Sequence, residues 1–120
     1  MLSLHMDLSV IIPIYNEESR ISHSLEKIIV YFNPLDFEYE IIIIDDGSKD
    51  NTLSVIQAFN QNIHPLKIYN YMPNRGKGYA VRYGMLKGTG KYRLFTDADL
   101  STPIQEVQSM LGYLDQGYDI

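Results

Sequence analysis

Two periods run through the apolar positions of this chain, one suited to strands and one to helices. Leu8 to Ile14 (Leu-Ser-Val-Ile-Ile-Pro-Ile) is a short β-rich run and predicts a first strand. Asn16 suits a helix N-cap, and Glu17 and Glu18 suit the positive end of the helix dipole. Ile21, Leu25, Ile28, Ile29 and Phe32 then recur at helical spacing until Asn33-Pro34 stops the helix. Tyr39 to Ile44 contains four consecutive isoleucines with no polar alternation, which predicts a strand buried on both faces within a parallel sheet. Asp50 or Ser48 is placed to cap a second helix through about Phe59, with Leu53, Ile56 and Phe59 facing inward.

Leu66 to Tyr71 predicts a third strand, Met72 to Gly78 a loop, and Tyr79 to Lys87 a third helix ended by Gly88-Thr89-Gly90. Tyr92 to Phe95 predicts a fourth strand. A helix start follows Asp97-Ala98-Asp99: Thr102 as N-cap, Pro103 at the first position, and Gln105 completing a capping box. Val107, Met110, Leu111 and Leu114 form the stripe of that helix, and Gly117 suits its C-terminal cap. The alternation is βαβαβαβα. It predicts an α/β, Rossmann-like parallel sheet with right-handed crossovers and helices on both faces. Tyr118-Asp119-Ile120 reads as the entry to a fifth strand, so the expectation is the N-terminal part of a longer protein.

The polar clusters all follow strands: Tyr15-Asn16-Glu17, Asp45-Asp46, Asn74 to Lys77, and Asp97-Ala98-Asp99. A parallel sheet collects them on one rim, where open α/β sheets bind ligands. A strand order of 3-2-1-4 places the switch point between the first and fourth strands and brings Glu17 towards Asp97 and Asp99. Two carboxylates one residue apart at such a turn suit a hard divalent cation that carries phosphates.

Composition narrows this picture. The chain of 120 residues has 45% hydrophobic and 21% charged residues, ordinary values for one globular domain. A formal charge of −5 argues against nucleic acid as a partner, although the basic residues between Arg75 and Arg93 allow a local cationic spot. There is no cysteine, hence no disulfide and no cysteine-held zinc. No segment reaches the ~20 apolar residues of a membrane span, and no basic-then-apolar leader opens the chain, which leads to the expectation of a cytoplasmic protein.

Each cluster also has a purely structural use. Asp46-Gly47-Ser48 suits a turn with a helix cap, Gly76-Lys77-Gly78 a flexible turn, and Glu17-Glu18 the helix dipole. Gly76-Lys77-Gly78 is not a P-loop, because neither the upstream glycine nor a following Ser or Thr is present. Val81 occupies the third glycine position of the dinucleotide fingerprint, which excludes that motif too. His5, His23 and His64 show no ligand spacing and are expected at the surface or in loops.

Four stretches taken together resemble a family. Val10 to Glu18, Ile44 to Asp50, Asn74 to Gly78, and Asp97 to Pro103 resemble, in order and spacing, the signature of family 2 glycosyltransferases. Gly-Lys-Gly at 76–78, Ala80 to Met85, and Asp-Ala-Asp-Leu-Ser-Thr-Pro at 97–103 look most like the dolichyl- or polyprenyl-phosphate sugar synthases of the glucosyl-transferring type. The resemblance implies a GT-A fold, with residues 1–120 forming the nucleotide-sugar-binding part. By matched position, Pro13, Tyr15 and Glu17 line the base and ribose pocket, and Asp46 accepts the ring N–H of the base. Asp99 is implied as a metal ligand, with Asp97 joining it or holding the ribose. These two are the implied catalytic pair, with Mg²⁺ or Mn²⁺ as cofactor. Arg75 and Lys77 are placed near the nucleotide. Ser101 stands where the mannosyl-phosphate synthases carry a metal-assisting Gln, which weakens a mannosyl assignment.

The implied reaction is inverting transfer from a nucleotide diphosphate sugar, UDP-glucose favoured, to a polyprenyl or dolichyl phosphate, in cell-wall or glycan biosynthesis. The acceptor half and any membrane contact are then expected beyond Ile120, and residues 1–120 alone are expected to transfer no sugar. Two alternatives within this frame are a glycan hydroxyl as acceptor and a non-catalytic nucleotide-binding module, which an open sheet edge would let form a homodimer. A phosphatase of the haloacid-dehalogenase type is a further rival, but its D-x-D follows the first strand of the domain rather than the fourth.

Overall fold

The computed structural model describes residues 7–32, 38–59 and 66–97. In chain order the elements are β1 (Leu8–Ile14), α1 (Ile21–Phe32), β2 (Tyr39–Asp46), α2 (Thr52–Phe59), β3 (Leu66–Tyr71), α3 (Lys77–Lys87) and β4 (Tyr92–Phe95). The four strands form one parallel sheet, as the pattern predicts, and their order is β3-β2-β1-β4, the one that sets the switch point between β1 and β4. The helix expected after Thr102, Asp99 and Ser101 lie outside the described residues.

Alternation along the strands divides the core into two layers. Val10, Ile12 and Ile14 of β1 and Ile41 and Ile43 of β2 pack with Ile21, Leu25, Ile28 and Phe32 of α1 and Ile56 of α2. Ile11, Ile42 and Ile44 point the other way, onto Ala80 of α3. Helices therefore cover both faces, and the unbroken isoleucine run is buried on both sides. Gly84 lets α3 approach closely, since a Cβ there would strike the Ile11 side chain.

Four local expectations are corrected. Asn16 does not cap α1, which begins at Ile21. Instead Asn16 adopts φ 53°, and its Oδ1 accepts the Lys49 N–H at 2.8 Å. Glu17 and Glu18 lie ahead of the first turn of α1, which holds no acidic residue. α3 starts at Lys77 rather than Tyr79, and β2 runs on to Asp46, so Asp45 and Asp46 both sit on the strand. The Asp50 cap is as expected: its carboxylate accepts from the Thr52 N–H at 3.0 Å and from the Thr52 hydroxyl.

Candidate nucleotide site at the carboxyl rim of the sheet

All four strands end on the same rim, and hydrogen bonds tie the segments that follow them into one surface. The Asn16 N–H donates to Ser48 Oγ and the Glu17 N–H to Thr52 Oγ1, both at 2.8 Å, so the segment after β1 is clipped to the one after β2. The Thr96 N–H donates to Ile11 O at 3.0 Å, carrying the β1–β4 pairing one step past β4 and bringing Asp97 level with the end of β1.

Asp46 holds the segment after β3. Its Oδ1 accepts from Tyr71 Oη at 2.6 Å and from the Arg75 N–H at 2.9 Å. Its Oδ2 accepts from Asn74 Nδ2 at 2.9 Å and from the Gly76 N–H at 3.0 Å. Four donors use the four in-plane lone-pair sites of a carboxylate. The side chain is buried, and the loop lies directly on Gly47, where φ is 73° and a Cβ would sit 2.5 Å from Asn74 N. Only glycine fits there. Burial, reinforced by the bond to Asp46, raises the Tyr71 phenol above its ordinary pKa.

The loop so fixed opens on a cis Met72–Pro73 peptide and delivers two cations. The Arg75 guanidinium lies 5.2 Å from the centroid of the Tyr79 ring. The Lys77 ammonium, on the first residue of α3, pairs with Asp97 Oδ1 and lies 5.9 Å from the Phe95 ring centroid. Both partners are accessible, with side chains 57% and 35% exposed. Gly76 stands at the N-cap of α3 and supplies no side-chain cap, so the first N–H groups of the helix also meet the rim.

The remaining expected site residues are spread along β1 and its extension. Pro13 is half-buried on β1 and Tyr15 is 40% exposed on the rim. Glu17 makes a bidentate pair with Arg20 at 2.7 and 2.8 Å. Each of these two carboxylates takes a cation, Glu17 with Arg20 and Asp97 with Lys77. Among the described residues no group of three His, Cys, Asp or Glu is placed to hold a metal ion. His23 is exposed on α1. Tyr71 and Asn74 have no assigned role in the sequence reading, and their link to Asp46 has no local spacing signal.

A divalent cation at this rim would meet Asp97, a half-exposed oxygen donor that already attracts an ammonium group. Mg²⁺-type ions are commonly held by one or two carboxylates plus substrate phosphates, so a sparse protein donor set fits such an ion.

A comparison with protein-family profiles matches the chain to "Glycosyl transferase family 2" over residues 9–120. Dolichyl-phosphate beta-glucosyltransferase of Dictyostelium discoideum is 44% identical in an alignment of 109 residues, with 82% of this chain and 32% of that protein covered. The Saccharomyces cerevisiae protein of the same name is 40% identical in an alignment of 110 residues, with 87% of this chain and 33% of that one covered. The chain thus spans about a third of the length of the curated relatives it matches. Among solved structures, Staphylococcus aureus TarS 1-349 in complex with UDP-GlcNAc superposes with a TM-score of 0.75 at 27% identity, covering 92% of this chain and 32% of that one. Pyrobaculum calidifontis mannosyltransferase PcManGT, in complex with GDP-Man and Mn²⁺, gives a TM-score of 0.71 at 26% identity, with 89% and 31% covered.

Proposed function

The chain belongs to the family 2 glycosyltransferases, and from that premise we propose that its rim binds a nucleotide diphosphate sugar, UDP-glucose above others, for transfer to a polyprenyl or dolichyl phosphate. The observation that carries this reading is the meeting of Asp97, Lys77 and the uncapped start of α3 at the end of the fourth strand. A helix N-terminus and a lysine together suit a diphosphate, and a carboxylate beside them suits the cation that accompanies it. The dolichyl-phosphate beta-glucosyltransferase relatives support the choice of sugar and acceptor. PcManGT, solved with GDP-Man and Mn²⁺, supports the use of a divalent cation.

Within this reading Asp97, with Asp99, holds the cation. A divalent ion bound there supplies Lewis-acid neutralisation of the charge that develops on the departing diphosphate. Lys77, paired with Asp97 here, would offer a second, protein-borne positive charge to the diphosphate. Tyr15 and Pro13 provide an apolar wall for the base, and Arg75 the outer edge of the pocket. The acceptor phosphate oxygen is anionic already and attacks without a strong general base.

The test is calorimetry on Asp97→Asn. Loss of one charge-assisted contact costs about 1.5–3 kcal/mol, or roughly 10- to 100-fold in affinity. That loss is expected for UDP in the presence of Mn²⁺, with uridine binding nearly unchanged. Equal losses for UDP and uridine would show that Asp97 does not act through the diphosphate and its cation.

A further inference from the structure

Seven of the ten basic residues fall between Lys67 and Arg93, a stretch with no Asp or Glu, in a chain whose net charge is −5. The fold puts this stretch on one side. Lys67, Tyr69 and Tyr71 alternate along β3 onto the face that α3 covers, where the Tyr69 and Tyr71 rings meet Tyr83, and Arg93 of β4 donates from Nη1 to Met85 O of α3 at 2.9 Å. Two of the seven cations are paired, Lys67 with Glu40 and Lys77 with Asp97. The other five meet no carboxylate among the described residues.

The outward side of α3 is neither purely polar nor a packed interface. Tyr79, Arg82 and Leu86 recur at spacings of three and four residues and form one exposed stripe, in which Leu86 is 77% exposed. Lys87 flanks it, its ammonium 5.3 and 5.5 Å from the ring centroids of Tyr69 and Tyr83. Long basic side chains beside an exposed leucine and tyrosine can lay their stems on an apolar layer while their charged heads meet anionic headgroups. Single-stranded nucleic acid would instead need open ring faces for stacking. Here the tyrosines pack on one another, and Arg75 and Lys87 lie over their rings.

We propose that the outer face of α3, carrying Tyr79, Arg82, Leu86 and Lys87, docks on an anionic lipid bilayer. Arg82 and Lys87 meet the headgroup charge while Leu86 and Tyr79 enter the interface. Because α3 starts at the rim, a bilayer on this face lies beside the crevice where a lipid phosphate must arrive. In that purpose the inference rests on the proposed acceptor class, but its physical basis is independent of the donor site.

Flotation of the intact chain with vesicles tests it, comparing phosphatidylcholine alone with phosphatidylcholine containing phosphatidylglycerol. Binding is expected only to the anionic vesicles and is expected to fall as salt rises. Each basic residue at a charged surface contributes about fivefold in affinity, so Arg82→Glu with Lys87→Glu is expected to lose about 25-fold or more. Lys27→Glu with Lys49→Glu changes the net charge equally away from this face and is expected to lose far less. Leu86→Ser, at an exposed position where folding is not at stake, is expected to weaken binding severalfold. Equal binding to both vesicle types, equal loss in the two double variants, or stronger capture by single-stranded RNA than by anionic vesicles would overturn the proposal. UDP binding with Mn²⁺ reads the donor site separately, so either reading can fail while the other stands.

Discussion

Asp46 is the residue on which most of the rim depends. With all four acceptor positions filled by Tyr71, Asn74, Arg75 and Gly76, it builds the loop that carries Arg75 and Lys77. A base N–H could bind its carboxylate only by taking the place of one of these donors. Asp46→Asn turns one acceptor into a donor that must face an existing N–H or O–H, at a cost of about 2 kcal/mol. The expected result is a lower urea midpoint together with faster hydrogen exchange at the Arg75 and Gly76 amides. Unchanged protection of those two amides would contradict this role. The sequence places Asp46 at the rim and supplies two uses for it, a turn and a base contact. Its partners stand 25 and 28 residues away, beyond the reach of any local spacing rule.

At the scale of elements, the strands and helices were legible because burial dictates their patterns. The isoleucine run of β2 has no other reading, and the apolar stripe of α1 matches its buried face. Misplaced boundaries have tertiary causes: Asn16 is drawn to the segment after β2 rather than capping α1. A further feature escaped the sequence altogether. Glu40, fully buried at the opposite end of β2, accepts from Ser9 Oγ at 2.5 Å, from the Thr89 N–H at 2.7 Å and from Thr89 Oγ1 at 2.9 Å, and pairs with Lys67 at 2.8 Å. It fastens the turn between α3 and β4 to the sheet.

Burial alone would raise the Glu40 pKa, but the hydrogen bonds from Lys67, Ser9 and Thr89 outweigh it and hold the group at about 2. The unfolded chain takes up this proton near the ordinary value of 4.5, so between these values the unfolded state binds more protons than the folded one. The stabilisation is present above pH 4.5 and is lost as pH falls towards about 2. Glu40→Gln is expected to cost about 1–3 kcal/mol at neutral pH, since the charge-assisted bonds are weakened and the buried amide must turn a donor towards the existing donors of Ser9 and Thr89. Urea unfolding across this range is expected to show a much shallower acid decline for the variant than for the parent chain. Parallel pH profiles would contradict this assignment.

At the scale of the whole molecule, the parallel direction of all four strands collects four separate polar clusters onto one rim, and that direction was legible from the alternation of strands and helices. The order β3-β2-β1-β4 puts the switch point where Asp97 emerges beside the end of β1. What alternation does not supply is how the clusters connect, because the ties Asn16–Ser48, Asp46–Asn74 and Lys77–Asp97 depend on which side chains meet across the crevice. Fold, family and rim together make the central claim one of donor binding: a nucleotide diphosphate sugar held through Asp97, Lys77 and the start of α3. A ligand that binds only the folded state raises the melting temperature by mass action. The most direct measurement is therefore a thermal-shift panel of UDP, UDP-glucose, GDP and GDP-mannose, each with and without Mn²⁺. The account predicts the largest rise for UDP and UDP-glucose, present only with Mn²⁺; a panel that stays flat, or that rises equally for all four without the metal, would contradict it.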